Sequence, residues 1–202
     1  LTPSLEEDIH EMIRHSCNDC SNRVLEQVGR ENLLRILQAP RYGFYDPASG
    51  GGLWLGKDYG PSPAYHRDPL AGLSHGATTF QVARFYCGLE QGELVSPDQM
   101  RLMREAMVQP GIRHKFVKGL SRHKDLTIYR KSGTWRDFHA DSALVEAGGQ
   151  AYVMVALAHS KKGSIWMERL AEPLHQLALS TAPREPSSKA TLATATSLTA
   201  AH

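Results

Sequence analysis

The sequence has 202 residues, enough for one domain or at most two, and enough to bury a hydrophobic core. Apolar residues make up 41% and charged residues 22%, which is ordinary for a globular protein, and a formal net charge of +2 is too small to indicate nucleic-acid or anionic-membrane binding. No stretch approaches the roughly 18 apolar residues that a membrane span requires, so we expect no membrane-spanning helix.

The first part of the chain is predicted to contain three helices. A capping-box pattern at Ser4 begins an amphipathic helix of about three turns. Asn18 or Asp19 can cap a second helix, and a short third helix is predicted over residues 31–37. Residues 4–38 therefore form a predicted helical part.

Residues 39–76 lose all regular periodicity. This stretch contains five prolines and the run Gly50-Gly51-Gly52, which exclude a long helix or strand. It also contains aromatic residues, which indicate that it packs on the body of the protein: Tyr42, Phe44, Tyr45, Trp54 and Tyr59. We expect a long, omega-like structured loop.

Helical patterns return over residues 77–108. Thr78 begins an apolar stripe that Gly92 would end. Ser96, followed by a proline and then by Gln99, has the pattern of a helix start with a capping box.

Residues 112–180 are predicted to form a sheet and a closing helix. Runs rich in β-forming residues at 126–131, 141–146 and 152–158 are separated by turn-like sequences, which is typical of an antiparallel meander. A helix over 165–179 should cover one face of this sheet. Residues 181–202 are rich in Ala, Thr, Ser and Pro, so we expect a disordered tail. The order of elements predicts an α+β fold with a helical part and a sheet part.

Two short motifs carry the candidate chemistry. Ser16-Cys17-Asn18 lies between two predicted helices, and Lys131-Ser132-Gly133-Thr134 ends a predicted strand. Either motif alone occurs often by chance. Their order, their separation and their structural settings together resemble the class A β-lactamases and penicillin-binding serine hydrolases. That family carries Ser-x-x-Lys, then Ser-Asp-Asn, then Lys-Thr-Gly.

The resemblance extends over residues 4–180. It includes the lead into Ser16, the stretch 78–97 and the strands after Lys131, while cysteine replaces the middle aspartate and serine replaces threonine. It implies that residues 1–180 form a partial β-lactamase-like domain: helices plus an antiparallel sheet covered by a C-terminal helix, with the N-terminal part missing. It also implies an extracytoplasmic enzyme, periplasmic or secreted, and no metal or organic cofactor.

The resemblance assigns catalytic roles to four residues. Ser16 would relay a proton to the leaving nitrogen of an acyl-serine reaction, and Asn18 would grip the substrate amide. Lys131 would place a fixed positive charge beside Ser16 and the substrate carboxylate. The Thr134 backbone N–H would be an oxyanion-hole donor.

Substrate binding is implied for the same strand. The hydroxyl groups of Ser132 and Thr134 would bind the carboxylate of a β-lactam or a peptide-like amide. Gly133 lacks a Cβ, so substrate can lie against the strand.

The sequence departs from the family pattern in two ways. No Ser-x-x-Lys precedes Ser16, which we interpret as truncation, with the nucleophile in a missing N-terminal segment. Ser121-Arg122-His123-Lys124 matches in letters but in the wrong order, and we interpret it as a surface loop. The long loop also has no glutamate to serve as a deacylating base, and its carboxylates are Asp46, Asp58 and Asp68. Asp46 is the candidate to replace that base, although an Asp-Pro turn is the interpretation we favour for it.

Three alternatives remain open at this stage. His10, His15, Cys17 and Cys20 stand close together and would suit tetrahedral zinc, although the two histidines are poorly placed around a helix. A relative of the family that binds a ligand without catalysis is also possible, as is a D-alanyl-D-alanine peptidase that acylates and deacylates slowly. His139 and Asp141 are interpreted as structural.

Overall fold

The computed structural model describes residues 1–181 and has an α+β architecture, as predicted. The predicted tail lies outside the described residues, except for Thr181, which ends the last helix. Within residues 1–181 there are seven α-helices: α1 (Pro3–Arg14), α2 (Asn18–Val28), α3 (Arg30–Leu37), α4 (Thr79–Gln91), α5 (Pro97–Met107), α6 (Phe116–Gly119) and α7 (Gly163–Thr181). The strands of the same region are β1 (Tyr45–Asp46), β2 (Gly51–Gly52), β3 (Trp54–Leu55), β4 (His75–Gly76), β5 (Thr127–Trp135), β6 (Phe138–Ala147) and β7 (Gln150–His159).

The main sheet is the predicted antiparallel meander. Its strand order is β5-β6-β7, and Lys131 in β5 lies opposite Ser142 in β6. Each strand is longer than the sequence predicted. Strand β5 is at one edge, where a single bridge from Val108 to Tyr129 is its other backbone pairing in the described chain. The outer edge of β5 beyond Tyr129 is therefore open.

Helices cover both faces of the sheet. On one face, the α4 residues Tyr86 and Leu89 pack against Leu144 of β6. On the other face, Met167 and Ala171 of α7 pack with α6 against β6 and β7, so the predicted covering helix is confirmed. Burial of these apolar side chains is the main force that holds the layers together. Among the described residues, none of the helices is both long and apolar enough to cross a membrane.

Two helix starts differ from the prediction. The side chain of Thr2, not Ser4, accepts the capping hydrogen bond of α1, from the N–H of Leu5. Helix α2 is capped by Cys17 rather than by Asn18 or Asp19, because the Cys17 sulfur accepts from the Cys20 N–H. The predicted capping box of α5, Ser96 with Gln99, is present.

The long loop is packed, as its aromatic residues indicated. Strand β1 pairs with β2 and β3 with β4, each over two residues. Phe44, Tyr45 and Trp54 are buried, whereas Tyr59 is exposed. The backbone comes so close at Gly56 that a Cβ there would lie 1.5 Å from the carbonyl oxygen of His66.

Candidate functional site

The two sequence motifs meet at a hydrogen bond between Lys131 and Ser16. The Lys131 Nζ donates to the Ser16 Oγ at 2.8 Å, across 115 residues of sequence. Ser16 lies in the connection between α1 and α2, and Lys131 lies in β5. The fold thus brings the helical part and the sheet part together at this pair.

The backbone at Ser16 is unusual. Its φ is +58°, in the left-handed region that residues with a side chain rarely adopt. The next residue, Cys17, donates its N–H to the Glu11 carbonyl at 3.3 Å and caps α2. Asn18 is exposed at the first position of α2. The connection is therefore held from both helices, with Ser16 at its turning point.

Lys131 is surrounded by other cations. Burial lowers its pKa to about 8, and the nearby Arg130 and Lys115 charges act in the same direction, while Asp141 opposes them. Its Nζ also donates to the Ser132 carbonyl at 2.5 Å. Three cations therefore share one buried carboxylate, which makes this region suited to an anionic ligand.

The carboxylate in this group belongs to a buried ion pair. The Arg130 Nε donates to Asp141 Oδ1 at 2.6 Å and its Nη2 to Oδ2 at 3.0 Å. Asp141 also accepts the Phe116 N–H at 3.0 Å, and Arg130 donates to the Ile112 carbonyl at 2.7 Å. This pair fixes the segment before α6 against the sheet. It also gives Asp141 a structural partner.

The sequence did not indicate Lys115 as a site residue. Its side chain is fully buried, and its Nζ donates to the Gly133 carbonyl at 2.7 Å, to Thr134 Oγ1 at 3.0 Å and to the Ala140 carbonyl at 2.9 Å. Burial lowers the pKa of Lys115 to about 8. Its φ of +53° adds a second strained position next to the site. Lys115 thus fixes the end of β5 through hydrogen bonds from its buried ammonium group.

His114 is a second residue that the sequence analysis missed. Its Nε2 lies 3.2 Å from the Ser132 Oγ, so it orients that hydroxyl. Burial, Arg130 and Lys115 lower the pKa of His114, so the ring is neutral at pH 7. The signal in the sequence was the basic run before Phe116, but such runs usually form a solvated face.

The remaining predicted residues line the open edge of β5. Ser132 and Thr134 are two residues apart in β5 and therefore lie on the same face of the strand. Ser132 is buried, whereas Thr134 is exposed. At Gly133, an added Cβ would meet nothing nearer than the Ala140 Cβ at 3.9 Å, so space is open beside this position. The face of β5 beside Gly133 therefore has room for a ligand.

The three carboxylates of the long loop all have structural partners. Asp46 accepts from the Ala48 N–H at 3.0 Å and the Ser49 hydroxyl at 2.6 Å, and these bonds lower its pKa. Asp58 pairs with Arg30 at 2.6 Å. Asp68 accepts from the Tyr45 hydroxyl and is buried. The geometry leaves none of them arranged as a general base.

The zinc alternative is not supported. Cys17 and Cys20 form a disulfide, so they offer no thiolates, and His15 pairs with Glu11 at 3.0 Å. Within the part of the chain that the structure describes, no three histidine, cysteine or acidic side chains are grouped to hold a metal. The third cysteine, Cys87, is free and exposed.

The Ser121-Arg122-His123-Lys124 segment lies in the turn after α6. The Lys124 Nζ donates to the Ser121 carbonyl at 2.9 Å, and His123 bonds Glu172 of α7 at 2.8 Å. The first contact is within the segment and the second is with α7, whereas Lys131 contacts Ser16 between α1 and α2. The segment does not supply a nucleophile to the Ser16–Lys131 pair.

A sequence profile described as the Beta-lactamase enzyme family matches residues 1–179. The fold is similar to the solved structure of PBP-A (TM-score 0.65, 17% identity, covering 86% of this chain and 61% of that one). It is also similar to a β-lactamase from Sphaerobacter thermophilus DSM 20745 (TM-score 0.68, 14% identity, covering 88% of this chain and 64% of that one). A third similar structure is a β-lactamase from Burkholderia ambifaria (TM-score 0.66, 13% identity, covering 88% of this chain and 67% of that one).

This chain therefore spans about two thirds or less of the length of these solved structures. Curated protein sequences gave no match. At these identities the structural likeness concerns the fold, and the family follows from the sequence profile.

Proposed function

Because the chain belongs to the β-lactamase enzyme family, we propose that it carries part of the active site of a serine hydrolase. The substrate class is β-lactams or related peptide-like amides, and the reaction passes through an acyl-serine intermediate. The observation that carries the proposal is the 2.8 Å hydrogen bond from Lys131 Nζ to Ser16 Oγ. The nucleophile is assigned to a Ser-x-x-Lys segment outside these 202 residues.

In this proposal, Ser16 and Lys131 act on the leaving group and on the substrate carboxylate. The Ser16 hydroxyl passes a proton to the leaving nitrogen as the acyl-serine forms. The Lys131 ammonium, with Arg130 and Lys115 behind it, supplies the positive field that an anionic substrate requires. Asn18, at the start of α2, binds the substrate amide.

The end of β5 binds the other side of the substrate. The hydroxyls of Ser132 and Thr134 donate hydrogen bonds to the substrate carboxylate, and Gly133 leaves space for the substrate along the strand. The Thr134 N–H stabilises the oxyanion. Lys115 and His114 act as positioning residues because they bond to this strand end.

A specific observation favours slow deacylation, the step in which water hydrolyses the acyl-serine intermediate. Each loop carboxylate is engaged in a turn, an ion pair or a buried hydrogen bond, so none is free to activate water. A D-alanyl-D-alanine peptidase-like protein, which forms a long-lived penicillin adduct, is therefore the second candidate. A relative that binds such ligands without catalysis is the outcome if no adduct forms.

The site of action proposed for this enzyme is the periplasm or the cell exterior. The Cys17–Cys20 disulfide supports this, since disulfides persist in oxidising compartments.

The test is covalent labelling of the protein made from its complete gene. The protein is incubated with a fluorescent penicillin and analysed by intact mass over time. We expect an adduct whose rate of formation falls by roughly 10²-fold or more in Lys131→Ala. Lys124→Ala, which removes a lysine bonded only to the Ser121 carbonyl, is the matched control and should label normally. Equal labelling of the two variants would remove Lys131 from the mechanism.

A further inference from the structure

The Cys17–Cys20 disulfide lies inside the Ser16-Cys17-Asn18 motif. Cys17 is the single residue between Ser16 and Asn18, and its sulfur is bonded to Cys20 in the first turn of α2. Nothing in the acyl-transfer chemistry requires a disulfide here. Its position makes it the covalent link closest to the Ser16–Lys131 hydrogen bond.

We propose that this disulfide is a redox-sensitive modification site, opened by a dithiol reductant, which holds Ser16 and Asn18 in place when closed. The catalytic consequence rests on the proposed function, whereas the clamping of the connection does not. The chemical class of the reacting partner is a small dithiol or a protein that carries two vicinal thiols.

The disulfide matters because the backbone of the connection between α1 and α2 is strained. Ser16 sits at φ +58°, a conformation that persists only where its surroundings enforce it. On the α1 side, the Glu11 carbonyl accepts from the His15 N–H at 3.1 Å and from the Cys17 N–H at a longer 3.3 Å. On the α2 side, the carbonyl of Cys17 accepts from the Ser21 hydroxyl at 2.8 Å, and its sulfur is tied to Cys20.

The two cysteines are unequally exposed. Cys17 is half-buried, whereas Cys20 is buried with 5% of its surface exposed. A donor thiolate therefore attacks the Cys17 sulfur and breaks the Cys17–Cys20 bond, and the electron pair leaves on the Cys20 sulfur. That thiolate lies in the first turn of α2, where free backbone N–H groups stabilise negative charge.

A second step resolves the mixed disulfide between the donor and Cys17. The other thiol of the donor attacks the mixed disulfide, so that Cys17 is released and the donor becomes a disulfide. Two electrons and two protons pass from the donor to the protein, and both cysteines end as thiols. Because the cross-link closes a loop of only four residues, its loss removes little constraint from the unfolded chain. The expected effect is local loosening of Ser16 and Asn18.

The test compares the oxidised protein, made from its complete gene, with the same protein after dithiothreitol. Trypsin releases residues 15–23, which contain both cysteines, so alkylation and mass report their redox state directly. Hydrogen exchange then reports the amides of residues 16–21, with the amides of β5–β7 as the internal reference. We expect faster exchange at 16–21 alone, and penicillin labelling slower by roughly 10- to 100-fold.

Two variants separate the causes. Cys17→Ser with Cys20→Ser should reproduce the reduced protein and lose its response to dithiothreitol. Cys87→Ser, which removes the free exposed thiol, should keep the full response. The proposal is overturned if peptide 15–23 is alkylated at both cysteines before reduction. It is also overturned if exchange at 16–21 does not change or changes together with the sheet, or if the protein is labelled at the same measurable rate in both redox states. Absence of labelling in both states refutes the proposed function, and the exchange data still decide on the clamp.

Discussion

The long loop of residues 39–76 and the Ser16–Lys131 site use polar groups in opposite ways. In the loop, each carboxylate has a local partner: Asp46 caps a turn, Asp58 pairs with Arg30, and Asp68 binds Tyr45. At the site, Lys131, Lys115 and Arg130 crowd around one carboxylate, and two of the neighbouring residues have positive φ. The loop carboxylates are thus structural, each held by local hydrogen bonds or an ion pair, whereas the site keeps an excess of positive charge and two strained backbone positions.

The largest predicted effect comes from breaking the buried ion pair of the site. Asp141→Ala leaves the Arg130 guanidinium without its carboxylate partner. Because only 1% of the Arg130 side chain is exposed, water cannot replace that partner. We expect a loss of about 3–5 kcal/mol in the free energy of unfolding. Urea denaturation followed by circular dichroism measures it.

The matched control is an exposed ion pair of similar chemistry. Arg101→Ala removes the partner of Glu105 on the surface of α5 and should cost about 0.2–1 kcal/mol. If the two variants lost the same stability, the interior pair would not be the anchor of the segment before α6.

In the long loop, we expect stability to be lost through a steric clash and not through the loss of an ion pair. In Gly56→Ala, the new methyl group would lie 1.5 Å from the His66 carbonyl oxygen, so the backbone must shift, and we expect a loss of about 1–3 kcal/mol. Gly76→Ala is the control in the same loop, because its Cβ would meet the Trp54 Cβ at an ordinary 3.6 Å. Thermal unfolding of the two variants checks this, and a similar melting temperature for both would show that the loop yields readily.

The sequence was sufficient for the contact between Ser16 and Lys131 to be expected. The motif order and the family resemblance placed Ser16 between two helices and Lys131 on a strand, and both placements are correct. Periodicity also placed the three long strands and α7, because each runs for several residues with one pattern.

Other features depend on contacts between distant residues. Lys115 is a buried cation whose partners are oxygens of β5 and β6, and no local pattern distinguishes it from a solvated lysine. Helix α6 has four residues, too few for a helical period to show. The spacing of Cys17 and Cys20 suits a metal, a redox pair or a structural disulfide alike, so only the folded geometry chooses among them.

The smallest predicted effect is a pH dependence that only the site should show. The pKa of Lys131 is lowered to about 8, so in the free protein its charge is lost as the pH rises through 8, and with it part of the attraction for a carboxylate. Penicillin labelling should therefore be about tenfold slower at pH 9 than on the plateau at about pH 7 and below. Lys131→Arg keeps its charge, so its labelling should not fall in this range. If the fall remained in Lys131→Arg, it would belong to Lys115, whose pKa is also lowered to about 8.

Stability should change in the opposite direction over the same range. Both lysines titrate below the ordinary value of 10.5, so between about pH 8 and 10 the folded state binds fewer protons than the unfolded state. The free energy of unfolding therefore rises with pH there, because removing a proton relieves the burial of a charge. Urea denaturation at pH 8 and pH 9.5 measures this rise, which Lys131→Arg should reduce by removing one of the two titrating groups. A site that gains stability as it loses activity holds its charges for binding and not for folding, which is the reverse of the carboxylates in the long loop.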